Sequence, residues 1–453
     1  MELKEKKILI VGLAKSGVAA AKAAISLGAV VSGYDRKKFT GIDPEAVSLF
    51  SGTSSRLLLG GTEPLDDEKW DMLVLSPGVP VNLGFVKKAE ENGAEIIGEL
   101  ELAWRLSRAA YVAVTGTNGK TTTTTLIGEI FNKSGRKAKT AGNIGIPVVT
   151  LALEEEMNED AWLITEVSSF QLETIKGFHP AISLILNITP DHLDRHLTME
   201  NYGLAKARIF ENQGKDDVFI VNMDDEGAWA HTKGCKAKVV PFSRRSEPET
   251  GVFTRDGRIV IRTEGKIFDV CGIDELKIPG GHNLENALAA VAAAFFAGIP
   301  TEIIAETLRD FPGVPHRLEP AGLVGGVKFV NDSKGTNTDA AIKAIEAMDP
   351  GIILIAGGYD KHVSFDDFID AFQGKVKHLL LMGVTAPQIK AAALSKGFNY
   401  ITECKDMREC VRMGYELASE GDTVLLSPAC ASWDMYSCFE ERGEDFKACV
   451  GEL

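Results

Sequence analysis

The stretch Thr115-Gly116-Thr117-Asn118-Gly119-Lys120-Thr121-Thr122 constrains the fold of this chain more than any other. It follows an apolar run, 111–115, that reads as a strand, and it precedes a stretch that reads as a helix. A strand that ends in a glycine-rich loop and continues as a helix is the opening of a parallel α/β unit. The loop also suits a phosphate. Phosphate oxygens need backbone N–H donors at close range, which glycine permits, and a helix N-terminus adds partial positive charge. A lysine neutralises the anion, and a hydroxyl can ligate magnesium. Gly116, Thr117, Asn118, Gly119, Lys120, Thr121 and Thr122 are therefore candidates to hold a nucleotide. The spacing is contracted, because Gly116 stands only three positions before Gly119, whereas the common phosphate loop has five. A glycine–threonine turn that merely caps a helix is the plain alternative.

The same alternation runs along the whole chain. Residues 7–11, 30–34 and 72–75 read as strands, with a turn over 12–17 and a helix over 18–27. Further strands are expected near 163–166, 181–187 and 218–222, then a hairpin of 252–254 and 258–261 about Asp256-Gly257. Helices are expected over 283–296 and 302–309. Phe311-Pro312-Gly313-Val314-Pro315 reads as a linker, since two prolines and a glycine block regular structure. Beyond it the alternation resumes at 327–330, 339–347, 352–355, 378–382 and 423–426. An α/β protein of three domains, at 1–98, 99–312 and 313–453, is the expectation.

Composition excludes several classes. A length of 453 residues, 45% hydrophobic and 25% charged, supports large cores and argues against disorder. The net charge of −15 argues against a nucleic-acid binder with a basic face. The apolar run at the start is brief, broken by glycine, and lacks a small-residue cleavage site, so a buried strand explains it better than a signal peptide. The apolar stretch 287–298 is too short to cross a bilayer, and no membrane span is expected. Seven cysteines at irregular spacing, with no C-x-x-C pair, read as reduced thiols of a cytosolic protein.

Three more motifs fall where chemistry belongs. Glu166 ends an apolar strand in Thr165-Glu166-Val167-Ser168-Ser169-Phe170-Gln171-Leu172. A carboxylate at that end of a strand, beside a phosphate loop, is where an α/β site needs a magnesium ligand. His192 follows another strand in Asn187-Ile188-Thr189-Pro190-Asp191-His192-Leu193-Asp194. A lone histidine is more often structural or solvated, but in this company it is a candidate ligand. Lys206, preceded by Tyr202 and Ala205, is by itself an ordinary helical lysine.

Taken together, the contracted loop and these motifs resemble the Mur ligase and folylpolyglutamate synthetase superfamily, over essentially the whole chain. The resemblance implies an N-terminal Rossmann-like UDP-binding domain, a central P-loop ATPase-like domain and a C-terminal Rossmann-like domain. It implies amide-bond formation through an acyl phosphate, with ATP and two Mg2+ ions as cofactors and Lys120, His192 and Lys206 as the catalytic groups. Thr121 and Glu166 would ligate one ion, and His192 and Lys206 the other. In the family the lysine of the Tyr-x-x-Ala-Lys pattern is carbamylated by CO2, which carries over to Lys206. Gly280-Gly281-His282-Asn283-Leu284-Glu285-Asn286 resembles the family's helix start beside the adenine. Asn286 is then a nucleotide contact, while Asn283 is equally well a helix cap. Arg317 and Asp332 would reach the nucleotide from the last domain, which implies a domain that closes.

Within the family, folylpolyglutamate synthetases place the phosphate loop near the N-terminus, and diaminopimelate-adding relatives carry D-N-P-R in the last domain. Neither trait occurs here. Leu426-Ser427-Pro428-Ala429-Cys430-Ala431-Ser432-Trp433-Asp434, Ser76-Pro77-Gly78-Val79 and Ala141-Gly142-Asn143-Ile144-Gly145 resemble the D-glutamate-adding branch instead. That implies UDP-N-acetylmuramoyl-L-alanine and D-glutamate as substrates, with Gly78 and Asn143 among the substrate contacts. Lys334, Thr336, Lys361, Ser432 and Phe439 would face the D-glutamate. In Gly12-Leu13-Ala14-Lys15-Ser16-Gly17 the middle glycine of a dinucleotide fingerprint is alanine, which disfavours NAD. A UDP-sugar held by Ser16, Asp35, Arg36 and Ser76 fits the family. An L-alanine-adding sibling and a non-catalytic nucleotide sensor on the same fold are the other readings. The resemblance also implies a cytoplasmic monomer.

Overall fold

The computed structural model describes residues 1–50, 56–61, 69–143, 145–278, 280–360 and 363–453. Strands β1 (Lys7–Val11), β2 (Val30–Asp35), β3 (Leu57–Leu59), β4 (Met72–Leu75) and β5 (Glu95–Gly98) form a parallel sheet in the order β3-β2-β1-β4-β5. Successive residues of a strand face opposite sides, and β1 is apolar on both: Ile8 and Ile10 enter one core, Leu9 and Val11 the other. The strand order reverses at β1, between β2 and β4, and this opens a crevice at the carboxyl ends.

The helix after β1 runs over Lys15–Ser26 and so begins three residues before the expected start at 18. Gly12, at φ 90°, turns the chain almost alone. Val18 N–H already donates to the Ala14 carbonyl at 2.9 Å. A Cβ on Gly17 would lie 1.8 Å from the Gly12 carbonyl oxygen, so only glycine lets the helix start this close to the strand.

The second sheet comprises β6 (Ala110–Thr115), β7 (Ala138–Gly142), β8 (Trp162–Glu166), β9 (Ile182–Ile185), β10 (Val218–Asn222), β11 (Lys238–Ser243), β12 (Gly251–Arg255), β13 (Arg258–Thr263) and β14 (Lys266–Gly272). Their order is β14-β13-β12-β11-β10-β9-β6-β8-β7, which sets β6 between the strands that end at Glu166 and shortly before Asn187. The pairings β12–β13 and β13–β14 are antiparallel. Asp256 and Gly257 both take positive φ, 50° and 72°, as the expected two-residue hairpin requires.

Both sheets lie in one compact unit, Met1–Glu275 with Glu285–Asp310. The second unit, Leu276–Leu284 with Phe311–Leu453, holds the third sheet. That sheet contains β15 (Glu319–Val324), β16 (Val327–Asn331), β17 (Ile352–Ala356), β18 (Val376–Leu381), β19 (Ile401–Glu403) and β20 (Thr423–Leu426), in the order β15-β16-β20-β17-β18-β19. All its pairings are parallel except β15 with β16. Among the described residues no helix is long and apolar enough to cross a membrane.

Two buried carboxylates on the helix Glu99–Leu106 tie the first sheet to the second. Glu101, fully buried, accepts from the backbone N–H groups of Lys176, Gly177 and Phe178 at 2.9–3.1 Å and from Arg105 Nε at 2.7 Å. These donors replace the water it lost. Glu99 is less well served. It accepts from Val149 N–H at 2.7 Å, and burial pushes it from 4.5 up to about 7.

A carboxyl whose folded value is raised contributes stability that is fully present below pH 4.5 and lost as pH rises through about 7. Glu99→Gln stays neutral and still accepts from Val149. Its melting temperature should therefore gain on the wild type as pH rises from 5 to 8, by the equivalent of up to roughly 3 kcal/mol. Calorimetry at both pH values checks this, and a difference independent of pH would count against it.

Candidate active site

Gly116 and Gly119 bracket the loop between β6 and the helix Lys120–Lys133. Gly119 takes φ 83°, and a Cβ there would lie 2.2 Å from Asn286 Oδ1. The exit of β9 holds the loop from one side. Asn118 N–H donates to Asn187 Oδ1 at 2.8 Å, and Asn187 Nδ2 donates to the Asn118 carbonyl at 3.1 Å. Thr117 Oγ1 donates to the Thr189 carbonyl at 3.1 Å and accepts from Thr189 N–H at 3.0 Å. From the other side, Asn286 Oδ1 accepts from Thr123 Oγ1 at 3.3 Å; Asn283, three residues earlier in the same helix, Gly281–Phe296, is also buried. The loop is thus preset, with its amides at a helix start.

Charge gathers on this loop. Lys120 Nζ donates to the carbonyls of Gly116 and Thr117 at 3.0 and 2.8 Å. Lys206 Nζ donates to the same Gly116 carbonyl at 2.8 Å, and its residue is only 1% exposed. Burial first, and then the neighbouring Lys120 charge, hold the Lys206 amine well below the usual lysine range. The ring of Tyr202, one helical turn earlier, lies 4.6 Å from that ammonium, and its hydroxyl is 3.3 Å from Thr117 Oγ1.

Thr121 Oγ1 donates to Glu166 Oε2 at 2.7 Å, and Asn143 Nδ2 donates to Glu166 Oε1 at 3.1 Å. β8 pairs in register with β6 and β7, which sets Glu166 opposite Val114 and Gly142. A hydroxyl beside a buried carboxylate is a hard oxygen donor set, and it fits magnesium. Among the described residues no three His, Cys, Asp or Glu side chains form a metal cage.

His192 stands in the left-handed region, φ 53°, with its side chain about two-fifths exposed. Its ring meets Phe170 edge-on at 4.9 Å and Tyr202 at 6.5 Å. Behind it, His196 is buried, 2.9 Å from Ser169 Oγ, and stacked on Phe170. Desolvation holds it below the ordinary histidine value. Arg195 Nη2 donates to the Val79 carbonyl at 3.2 Å, so the loop after β4 is tied to the His192 segment.

That loop belongs to the crevice of the first sheet. Ser76 Oγ donates to the Gly12 carbonyl at 2.8 Å, and Asp35 accepts from Leu13 N–H at 2.8 Å. Ser16, Asp35 and Ser76 therefore stand on three neighbouring strand exits, with Arg36 and Gly78 exposed beside them.

In the second unit, Asp332 follows β16 and accepts from Ser427 Oγ at 2.7 Å and Leu318 N–H at 3.3 Å. Burial pushes its carboxyl up to about 6, against the pull of the Arg317 charge. Arg317 Nε is buried with no hydrogen-bond partner among the described residues. Lys334 Nζ lies 5.1 Å from the Phe439 ring centre. Ser432 is buried and Thr336 half-buried. Lys361 lies outside the described residues.

Sequence reasoning passed over Asn187, Tyr202 and Arg442. Asn187 and Tyr202 carried a signal. Asn187 follows a strand next to β6, and Tyr202 precedes Lys206 by four residues, on the same helical face. Arg442 carried none, since its partners come from loops more than ten residues away.

Two family models match the chain, the Mur ligase middle domain over residues 114–294 and the Mur ligase glutamate ligase domain over 316–430. The chain is 50% identical over 455 residues, 100% of both chains, to the UDP-N-acetylmuramoylalanine--D-glutamate ligase of Thermoanaerobacter sp. (strain X514). Solved structures share the fold. A UDP-N-acetylmuramate-alanine ligase from Thermotoga maritima matches with TM-score 0.61 at 18% identity, over 99% of this chain and 100% of that one. A MurF ligase from Thermotoga maritima, solved with ADP, matches with TM-score 0.60 at 16% identity, over 86% of this chain and 97% of that one. The chain belongs to the Mur ligase family.

Proposed function

We infer that this chain is an ATP-dependent ligase that joins the amine of D-glutamate to the carboxylate of UDP-N-acetylmuramoyl-L-alanine, in the synthesis of peptidoglycan precursors. The observation that carries this reading is the convergence of Lys120, the Thr121–Glu166 pair and buried Lys206 on one contracted phosphate loop. A full-length relative at 50% identity bears the name of this activity.

The phosphates of ATP lie along the amides of the loop, with the Lys120 ammonium against them and Asn286, Arg317 and Asp332 serving the nucleotide. Thr121 and Glu166 would hold one magnesium ion, and His192 and carbamylated Lys206 a second. Bound there, magnesium supplies charge neutralisation between the γ-phosphate and the substrate carboxylate, which otherwise repel. The carboxylate oxygen attacks the γ-phosphorus, the bond to the bridging oxygen breaks, and ADP leaves. The D-glutamate amine then attacks the acyl carbon, and the tetrahedral adduct releases phosphate and a proton. Lys120, fixed on the loop, offsets the charge that the phosphoryl group carries through both steps.

Lys206 gains its role from burial. A lysine held well below its usual value offers a neutral amine, the form that adds to CO2. Addition of CO2 to that neutral amine would form an N–C bond, release one proton and leave a carbamate anion beside the phosphate loop. Ser16, Asp35, Arg36, Ser76 and Gly78 hold the UDP-sugar in the first crevice, and Asn143, beside Glu166, serves the substrate. Lys334, Thr336, Lys361, Ser432 and Phe439 hold the D-glutamate. The setting is the cytoplasm and the working form a monomer.

Phosphate release with magnesium, ATP and UDP-N-acetylmuramoyl-L-alanine should require D-glutamate and fail with L-glutamate or L-alanine, the product gaining one glutamyl residue. Release with L-alanine on UDP-N-acetylmuramate instead would move the chain to a sibling activity. Lys206→Ala should lose activity about a hundredfold or more and regain part of it with short carboxylic acids. An inactive variant that no carboxylic acid rescues would argue against the carbamate. Asn187→Ala, which frees one edge of the loop, should raise KM for ATP about tenfold, and an unchanged KM would show that the loop needs no such brace.

A further inference from the structure

Four of the residues proposed to grip the amino acid stand on two loops and a helix of the second unit: Lys334 and Thr336 in 332–336 after β16, Ser432 in 429–434 after β20, and Phe439 at the start of the helix Phe439–Gly451. One side chain fastens all three. Arg442 is 2% exposed. It donates from Nε to Ser333 Oγ at 3.0 Å and from Nη2 to the carbonyls of Ser333 and Cys430 at 2.8 and 3.1 Å. A longer bond runs from Nη1 to the Ala431 carbonyl, at 3.3 Å. Ser333 Oγ passes the chain on to the Phe439 carbonyl at 2.8 Å.

All of these acceptors are neutral. A guanidinium buried without a carboxylate at hydrogen-bond distance is costly. Arg442 also stands in the first turn of a helix, the end where the macrodipole disfavours a cation. Asp434 and Asp332 stand near enough to favour the charge, yet among the described residues neither hydrogen-bonds it. Its planar fork does meet several acceptors at fixed angles, which the single point charge of a lysine cannot. Burial lowers Arg442 to about 10, which leaves it charged near neutrality.

We propose that Arg442 is the positioning residue of the amino-acid pocket: it holds the two loops and Phe439 in one arrangement and supplies the positive field that selects an amino acid with two carboxylates. This rests on the reading of the second unit as the D-glutamate site. Lys334 presents one cation from the first loop, above Phe439. Arg442 adds a second charge behind the loops without touching the ligand. Loosening it lets Lys334, Thr336 and Ser432 drift independently, so the amino acid should suffer, while Asp332, anchored by Ser427 Oγ and Leu318 N–H, keeps its place for the nucleotide.

Arg442→Lys and Arg442→Met test this against the wild type. Melting temperature, the three KM values, selectivity for D-glutamate over D-glutamine, and hydroxylamine trapping of the acyl phosphate are read together. Arg442→Lys should raise KM for D-glutamate about tenfold and leave KM for ATP and the UDP-sugar within about twofold. Arg442→Met should also lose most of the selectivity for D-glutamate over D-glutamine, while trapping proceeds at the wild-type rate. Should Arg442→Met not fold, Arg442→Lys, which keeps the charge and loses the fork, decides the matter. The role of Arg442 falls if that variant keeps its KM for D-glutamate, or if all three KM values rise alike. Absence of D-glutamate turnover in the wild type overturns the functional reading instead.

Discussion

One carbonyl oxygen, that of Gly116, takes hydrogen bonds from two ammonium groups, and much of the site follows from this arrangement. Two cations cannot share a buried acceptor cheaply, and the protein has three ways to relieve them. Lys206 can lose its proton. Glu166 and Asp191 can offset the charge from nearby, and both do pull against the shift. Anions can also arrive, at the helix start that follows the loop. The site is therefore poised by electrostatics before any ligand binds, on a loop that Asn187, Thr189 and Asn286 have already fixed in shape.

The buried carboxylates of the first unit work in the opposite sense. Glu101 meets three backbone N–H groups and Arg105, and no shortage of donors remains around it. Glu99, two residues away, has fewer donors, and burial raises it to about 7. Two acidic residues on one short helix thus differ in how many N–H groups are aimed at them. Both join the first sheet to the second, and the crevice around Ser76 gains a fixed position relative to the phosphate loop through them and through Arg195.

Much of this was legible in the sequence. The loop, Glu166, His192 and Lys206 were found because each follows a strand or a short motif, and parallel strands bring their carboxyl ends together. β3, β5, β7 and β19 escaped notice. They are three to five residues long, and so short a stretch has no periodicity to read; the six-residue β11 and β15 were not expected either. β14 is longer but shows no period-two pattern, being mostly exposed from Lys266 to Asp269 and buried from Val270 to Gly272, with a bulge in its pairing. The early start of the first helix was missed because glycine at 17 suggested a turn, whereas its purpose is to let backbone approach backbone. Arg442 was beyond reach, since nothing in its own neighbourhood announces a bond to Ser333.

The contact of Gly119 with Asn286 bears on how such a chain can drift. Position 119 is confined twice, by a left-handed backbone and by a side chain waiting 2.2 Å from where its Cβ would be. A change at 286 would lift the second restriction and leave the first. No single neighbour can therefore compensate for the loss of that glycine. Asn286, by contrast, owes its fixed position to a residue that has no side chain. An exchange at 286 would remove the bond to Thr123 Oγ1 and with it one brace of the helix Lys120–Lys133, while position 119 stayed confined by its backbone.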